Sequence, residues 1–488
     1  MPSIRHLLSA CEIAAQIRHR EVSPVEVAQA RLDRIDRLNP RLNAFVDYKP
    51  EAVLAQARAA EKALLRTNPD ELGPLHGVPL SIKSSIDVAG HRCEAGSRLR
   101  ARYVAAEDAP LVGRLRRAGA VILGVTNTPE LLMAWETDNL LYGRTKNPWD
   151  LSRTAGGSSG GEAAAIAAGL SAGGVGSDGG GSIRVPAHFC GICGLKPTPG
   201  RIPSTGHFPK AGGPFALLGV VGPMARTVAD LRILFEVMAG CDEGDPCAAP
   251  VAVSSQFSVL SSQKERELGP GNWLLGTGVG FFEDDGRTSV TEETRLAVRQ
   301  AALLLMSAGF RVDALRPEGL EEARRLWWDF FGVAGGMILD PMLKGHESEL
   351  SSILREFLGW AKSTPPHTGE TLLAAWLGRD AVREKILLQM RKFPVLICPV
   401  AAIPAFRHGE REWQVEGKTV KYLDAWSYCE WFNLLGFPAA VLPMGYSEEG
   451  LPIGVQVVGR PWEEELVLAV AEILEKARGP VQAPPVLG

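Results

Sequence analysis

The chain has 488 residues, of which 45% are hydrophobic and 22% charged, and a formal net charge of −4. That length can bury a large core, and the composition is that of a soluble globular protein rather than a nucleic-acid-coating one, so no nucleic-acid partner is expected. No apolar run reaches the roughly 18–20 residues that span a bilayer, and eight scattered cysteines predict reduced thiols in a cytoplasmic protein.

The N-terminus, MPSIRHLLSACEIAAQIRHR, mixes charges into its apolar pattern and reads as an amphipathic helix rather than a signal peptide. Residues 3 to about 70 are predicted to be helical. Ser23-Pro24-Val25-Glu26 reads as an N-cap with proline at the first helical position, followed by Val25, Ala28, Leu32 and Ile35 at helical spacing. A second helix is predicted from about Pro50 to Leu65. After Gly73-Pro74 the run Val78 to Ile82 is short, apolar and strand-like. Leu111 to Ala118 reads as a helix and Ala120 to Val125 as a buried strand, an alternation that points to an α/β fold.

The densest chemistry lies in AGGSSGGEAAAIAAGLSAGGVGSDGGGSIRVPAHFCGICGLKPTP, residues 155–199. Ser158 follows Gly156-Gly157, ahead of a helical run from Glu162 to Gly169. Ser182 follows Gly179-Gly180-Gly181, where glycine lets successive N–H groups turn inward as an anion nest. Ahead of a nucleophilic serine, such a nest would hold an oxyanion. Gly174 to Gly179 also fits G-x-G-x-x-G, but Ile183-Arg-Val-Pro186 follows where a dinucleotide-binding helix would start. Gly157 to Gly161 fits the G-x-S-x-G elbow, whose histidine partner would come from His188, His207, His346, His367 or His408, none in a compelling setting. Lys83 ends the strand-like run. A buried lysine favours its neutral amine and can serve as a base once its pKa falls by about 2–3 units. Cys190-Gly-Ile-Cys193 invites a redox or zinc reading, but no second metal-ligand pair completes it and two small buried thiols are expected.

Further on, residues from about 242 to 392 are less regular and contain Leu326-Trp-Trp-Asp-Phe-Phe331, read either as a core helix face or as the wall of an apolar pocket. Strands are predicted at Pro394–Val400, Phe437–Leu442 and Ile453–Val458, and a last helix from about Glu463 to Ala477.

Together these segments resemble the amidase signature family. The resemblance runs through GPLHGVPLSIKSSIDVAG (73–90), TNTPEL (126–131), YGRTKNPWDLSRTAGGSSGGEAAAIAAG (142–169), GSDGGGSIRVPAHFCGICGLKPTPGRIP (176–203) and GPMARTVADL (222–231), and on to NLLGFPAAVLPMG and GLPIGVQVVGRPWEEELVL. It implies a single α/β/α domain over residues 1–488 around a large mixed, twisted central β-sheet surrounded by helices. Within it, 1–70 form a helical segment, 73–231 the signature core, 242–392 a variable pocket region, and 393–488 the closing strands and helix. It also implies a Ser–cisSer–Lys triad with no metal or cofactor. Carried over position by position, Ser182 matches the nucleophile, Ser158 the bridging serine after a cis Gly157–Ser158 peptide, and Lys83 the base. Gly179, Gly180 and Gly181 match the oxyanion turn, and Asp178 and Arg184 a charged pair bracing it. Three departures stand out: Ser84, Ala155 and Gly179 replace the aspartate, proline and threonine or isoleucine of many members.

The resemblance further implies that Leu132, Met133 and Trp135 line an acyl pocket, joined by His207, Phe208, Trp327 and Phe331. The expected substrate is a small-molecule amide or carbamate with a bulky apolar group, such as an aryl amide, a long-chain amide or a urethane. The alternative is the glutaminase-type subunit of a tRNA-dependent amidotransferase, against which Val185 stands where that subunit commonly has glutamine. The chain is expected to act as a monomer or homodimer.

Overall fold

Ser9 and Ser23 open the first two helices, Ala10–Arg18 and Pro24–Leu42. In both, the serine hydroxyl accepts the N–H of a glutamate three residues on, while that glutamate accepts the serine N–H. In this computed structural model, which describes residues 7–210, 212–253 and 276–487, the N-terminal region is helical as expected, with one exception. A short strand interrupts it before the third helix, Pro50–Arg66. Residues 3–6 of the predicted N-terminal helix lie outside the described residues.

Thirteen strands are present among the described residues. They are β1 Phe45–Tyr48, β2 Pro79–Lys83, β3 Val121–Thr126, β4 Gly173–Asp178, β5 Cys193–Lys196, β6 Val220–Ala225, β7 Gly278–Phe281, β8 Arg311–Ala314, β9 Val395–Pro399, β10 Glu412–Val415, β11 Lys418–Lys421, β12 Ala439–Tyr446 and β13 Pro452–Gly459. β10 and β11 form a separate hairpin; the other 11 strands make one mixed sheet in the order β1-β3-β2-β4-β6-β5-β12-β13-β9-β7-β8. β2 is parallel to both β3 and β4, whereas the centre, from β4 to β9, is antiparallel throughout.

Strand alternation sorts the core onto two faces. Leu80 and Ile82 of β2, Ala440 and Leu442 of β12, and Val455 and Val457 of β13 face the helices Pro110–Arg117, Val228–Met238, Glu292–Ser307 and Glu464–Arg478. Leu123 of β3, Val441 of β12 and Leu396 of β9 face the other side, where helices Gly160–Ala167, Arg184–Cys190 and Leu320–Trp328 pack. Helices on both faces of a large mixed sheet give the α/β/α layering expected.

One local expectation is corrected. Ile183-Arg-Val-Pro186 does begin a helix, Arg184–Cys190. Pro186 falls in its first turn, where the missing N–H costs nothing because those donors have no intrahelical partner.

Candidate active site

β2 ends on Lys83, with Ser81 and Lys83 on the face opposite Leu80 and Ile82. Lys83 has no solvent exposure, and its Nζ lies 2.6 Å from Ser158 Oγ and 3.0 Å from Ser177 Oγ. Burial pulls the ammonium down to about 7, against the opposing pull of Asp178 and Glu162. Ser158 precedes helix Gly160–Ala167, follows a cis Gly157–Ser158 peptide bond, and is 1% exposed.

Glu162, on the same helix, is wholly buried against the sheet. It accepts hydrogen bonds from Ser81 Oγ and, at 2.8 Å, from Thr126 Oγ1. Burial pushes its carboxyl up to about 8, with the two hydroxyls and Lys83 acting the other way. The neighbouring strand makes room for it: a Cβ on Gly174 would lie 2.1 Å from Glu162 Oε1.

β4 leads into Gly179-Gly180-Gly181-Ser182. Gly181 has φ +111°, a left-handed conformation that disfavours any side chain. Asp178 anchors this turn at its base. Its Oδ1 accepts the Gly181 N–H at 2.7 Å and Arg184 Nη2 at 3.0 Å; its Oδ2 accepts the Ile183 N–H at 3.0 Å and Arg184 Nε at 3.0 Å. Burial by itself would raise the Asp178 carboxyl, but Arg184 and these N–H groups hold it well below the usual carboxylate range. Arg184 is braced in turn by Gln456 of β13, at 3.1 Å, and by Asn433. Asn433 also donates to the Asp178 carbonyl at 3.1 Å. The Ser159 N–H donates to the Ser182 carbonyl at 3.1 Å, tying the two serine turns together.

Ser158, Ser177, Asp178, Gly179 and Ser182 line one cavity. Of the expected pocket residues, Leu132, Met133, His207 and Phe331 line it as well. Leu132 and its neighbour Leu131 both have positive φ, +68° and +49°, a region that costs an L-residue roughly 1–2 kcal/mol, and both sit on the cavity wall. Trp135 and Trp327 are not on that wall; their indoles bond the glycine turn, Trp135 Nε1 to the Gly180 carbonyl at 2.8 Å and Trp327 Nε1 to the Gly179 carbonyl at 2.9 Å. Phe208 is also off the wall, half-buried under the Arg100 guanidinium at 4.0 Å. The aromatic run thus divides: Trp327 and Phe330 belong to the core, and Phe331 reaches the cavity.

Sequence reasoning missed Ser177, Ser81, Thr126, Asn433, Gln456 and the apolar wall residues Phe215 and Leu339. A small hydroxyl inside an otherwise apolar buried strand was the available signal at Ser81; Ser177 lies in the glycine-rich strand β4 and carried no such signal. No such signal marks Asn433 or Gln456, which the fold brings to Arg184 across 249 and 272 residues of chain.

Among the described residues, none of the five candidate histidines hydrogen-bonds to Ser158 or Ser182. His188 Nδ1 accepts the Gly454 N–H at 2.7 Å and its Nε2 faces the Ile403 carbonyl, while burial holds the ring down to about 4. His207 meets Ser85 and the Pro209 carbonyl. His346, His367 and His408 bond elsewhere. Cys190 and Cys193 are free, buried thiols, both pushed up by burial. Among the described residues no cluster of three or more histidine, cysteine or acidic side chains could hold a metal, and no helix is long and apolar enough to cross a membrane.

Comparison with known proteins matches residues 26–468 to the Amidase family. The chain is 35% identical to an acylamidase of Rhodococcus erythropolis over 97% of this chain and 96% of that protein. It is 34% identical to a glutamyl-tRNA(Gln) amidotransferase subunit of Carboxydothermus hydrogenoformans over 96% of this chain and 97% of that protein. The structure of a bacterial aryl acylamidase of the amidase signature family superposes with a TM-score of 0.83 at 26% identity, covering 98% of this chain and 97% of that one. The chain therefore belongs to the amidase signature family, whose members hydrolyse carbon–nitrogen bonds of amides.

Proposed function

We propose that this chain is a self-sufficient serine amidase that cleaves amides, and carbamates of the same shape, bearing a bulky apolar or aryl group. The observation that carries the reading is the 2.6 Å contact between a wholly buried Lys83 and Ser158, with Ser158 and Ser182 on one cavity. In the chemistry this supports, neutral Lys83 takes a proton from Ser158, which takes one from Ser182 as Ser182 Oγ bonds to the carbonyl carbon. The C–N bond then breaks as Ser158 returns the proton to the leaving nitrogen. Water hydrolyses the resulting acyl-enzyme by the same relay.

Ser182 is partly exposed whereas Lys83 and Ser158 are buried, which supports Ser182 as the member of the trio that meets substrate. The apolar wall of Leu131, Leu132, Met133, Phe215, Phe331 and Leu339 supports a bulky acyl group over a small polar one. The acylamidase and aryl acylamidase relatives support the same choice.

The test is hydrolysis by the purified chain of a nitroanilide series from acetyl to long acyl, plus an aryl carbamate, without added metal. Turnover of the bulky members that vanishes in Ser182→Ala is the expected result. Faster turnover of glutamine than of any anilide, or silence of the folded chain across the panel, would favour the partner-dependent glutaminase role that the amidotransferase relative represents.

A further inference from the structure

Three consecutive glycines carry no side chain to restrict their backbone, so residues 179–181 need an external constraint to hold one conformation. Two indoles supply it. Trp327 Nε1 donates to the Gly179 carbonyl at 2.9 Å and Trp135 Nε1 to the Gly180 carbonyl at 2.8 Å. A trans peptide unit holds its C=O and N–H antiparallel in one plane. Fixing the carbonyls of 179 and 180 therefore fixes the N–H groups of 180 and 181. The Gly181 N–H is taken by Asp178 Oδ1 at 2.7 Å, whereas the Gly180 N–H has no protein acceptor among the described residues.

Both indoles are themselves closely packed. Trp327 is 1% exposed, stacks on Phe331 with centroids 4.6 Å apart, and lies so close to the turn that a Cβ on Gly180 would fall 2.4 Å from its Cζ2. Trp135 stacks on Trp426 at 5.9 Å, and its backbone N–H donates to Tyr422 Oη at 3.1 Å.

We infer that Trp135 and Trp327 are positioning residues: their indole N–H groups lock the peptide planes of the glycine turn so that the Gly180 N–H is aimed in advance at the oxyanion. This rests on Ser182 being the nucleophile. When Ser182 Oγ bonds to the carbonyl carbon, the carbonyl π pair moves onto oxygen and the serine proton leaves toward Ser158. The negative oxygen then meets a donor that needs no reorganisation, which is where such donors act most strongly.

The experiment compares Trp327→Phe and Trp135→Phe, which keep an aromatic ring and lose the donor, using 4-nitroanilide kinetics and inhibition by phenylboronic acid, which forms a tetrahedral serine adduct. Each folded variant is expected to lose about tenfold or more in kcat with KM within about twofold, and to weaken boronate inhibition by a similar factor. A folded variant with unchanged kcat, or one in which KM rises while boronate inhibition holds, overturns the inference. Trp135→Phe, outside the helix Leu320–Trp328 that carries Trp327, serves where Trp327→Phe does not fold. Turnover persisting in Ser182→Ala would instead overturn the nucleophile assignment beneath it.

Discussion

Phe331 occupies the space that a side chain on residue 179 would need: a Cβ on Gly179 would fall 2.9 Å from Phe331 Cε2. The ring has little freedom to retreat, being stacked on Trp327 at 4.6 Å and on Phe215 at 5.2 Å. The glycine that departs from the family pattern and the phenylalanine on the cavity wall are thus a matched pair. Gly179→Thr is expected to cost about 1–3 kcal/mol through overpacking and to lower kcat/KM for bulky anilides. Gly179→Thr combined with Phe331→Ala should recover part of both. Thermal melts and kinetics of the two single variants and the double variant measure the coupling.

Lys83 should set the acidic limb of activity. Its charged form cannot accept a proton, and its pKa is pulled down to about 7, so kcat/KM is expected to rise with pH through that region and then level off. Lys83→Ala should remove several orders of magnitude in acylation. A pH profile of single-turnover acylation checks both, and a limb that stays in place when Lys83 is replaced would assign it to another group.

Glu162 gives a stability signature of the opposite sign. Its folded pKa, raised to about 8 from 4.5, means that the native state keeps a proton the unfolded chain has released. Its contribution is complete below about pH 4.5 and is lost as pH rises toward 8, at up to about 1.4 kcal/mol per unit. Glu162→Gln lacks this slope. The stability gap between wild type and variant, followed by denaturant unfolding from pH 5 to 8, should therefore move steadily against the wild type.

Asp178→Asn leaves Arg184 buried without its carboxylate, and removing one partner of a buried pair costs about 3–5 kcal/mol. Asp178 also predicts acid sensitivity. A carboxylate held below its ordinary pKa contributes stability above pH 3.8 that is lost as pH falls toward its folded value. Urea unfolding of wild type and variant between pH 2 and 6 should show the wild-type advantage shrinking at the acid end.

Cys190 and Cys193 are expected to be dispensable for chemistry. Cys190 donates to the Ala155 carbonyl and Cys193 to the Arg226 carbonyl, both inside the core. Cys190→Ala should keep its turnover and lose only a modest amount of stability. Loss of activity in a folded Cys190→Ala protein would restore a functional role for the thiol.

What was legible from sequence follows physical lines. Ser23 announced its helix because capping is local, and the apolar runs around Ile82, Val125, Leu396 and Val457 announced buried strands. β4 did not: Gly173-Gly-Val-Gly-Ser-Asp178 is poor in strand formers, since Gly174 yields its space to Glu162 and Gly176 to Ser159. The two serines, the lysine and the Asp178–Arg184 pair carried a motif pattern. Trp135 and Trp327 were expected on the pocket wall because the family resemblance put them there; the aromatic run around Trp327 by itself also allowed a core helix face. Their place behind the turn depends on which side of the glycine backbone they approach, and only the tertiary fold settles that.

The bracing of Arg184 by Asn433 and Gln456 has a consequence for the order in which the molecule is made. Lys83, Ser158 and Ser182 all emerge from the ribosome within the first 182 residues, but β12 and β13, which complete the sheet beside β5, and the side chains that hold Arg184 come from the final quarter of the chain. A nascent or truncated polypeptide ending before β13 is therefore expected to carry the three proposed catalytic groups without the scaffold that aligns them. Hydrolytic competence is expected only in chains long enough to include β13.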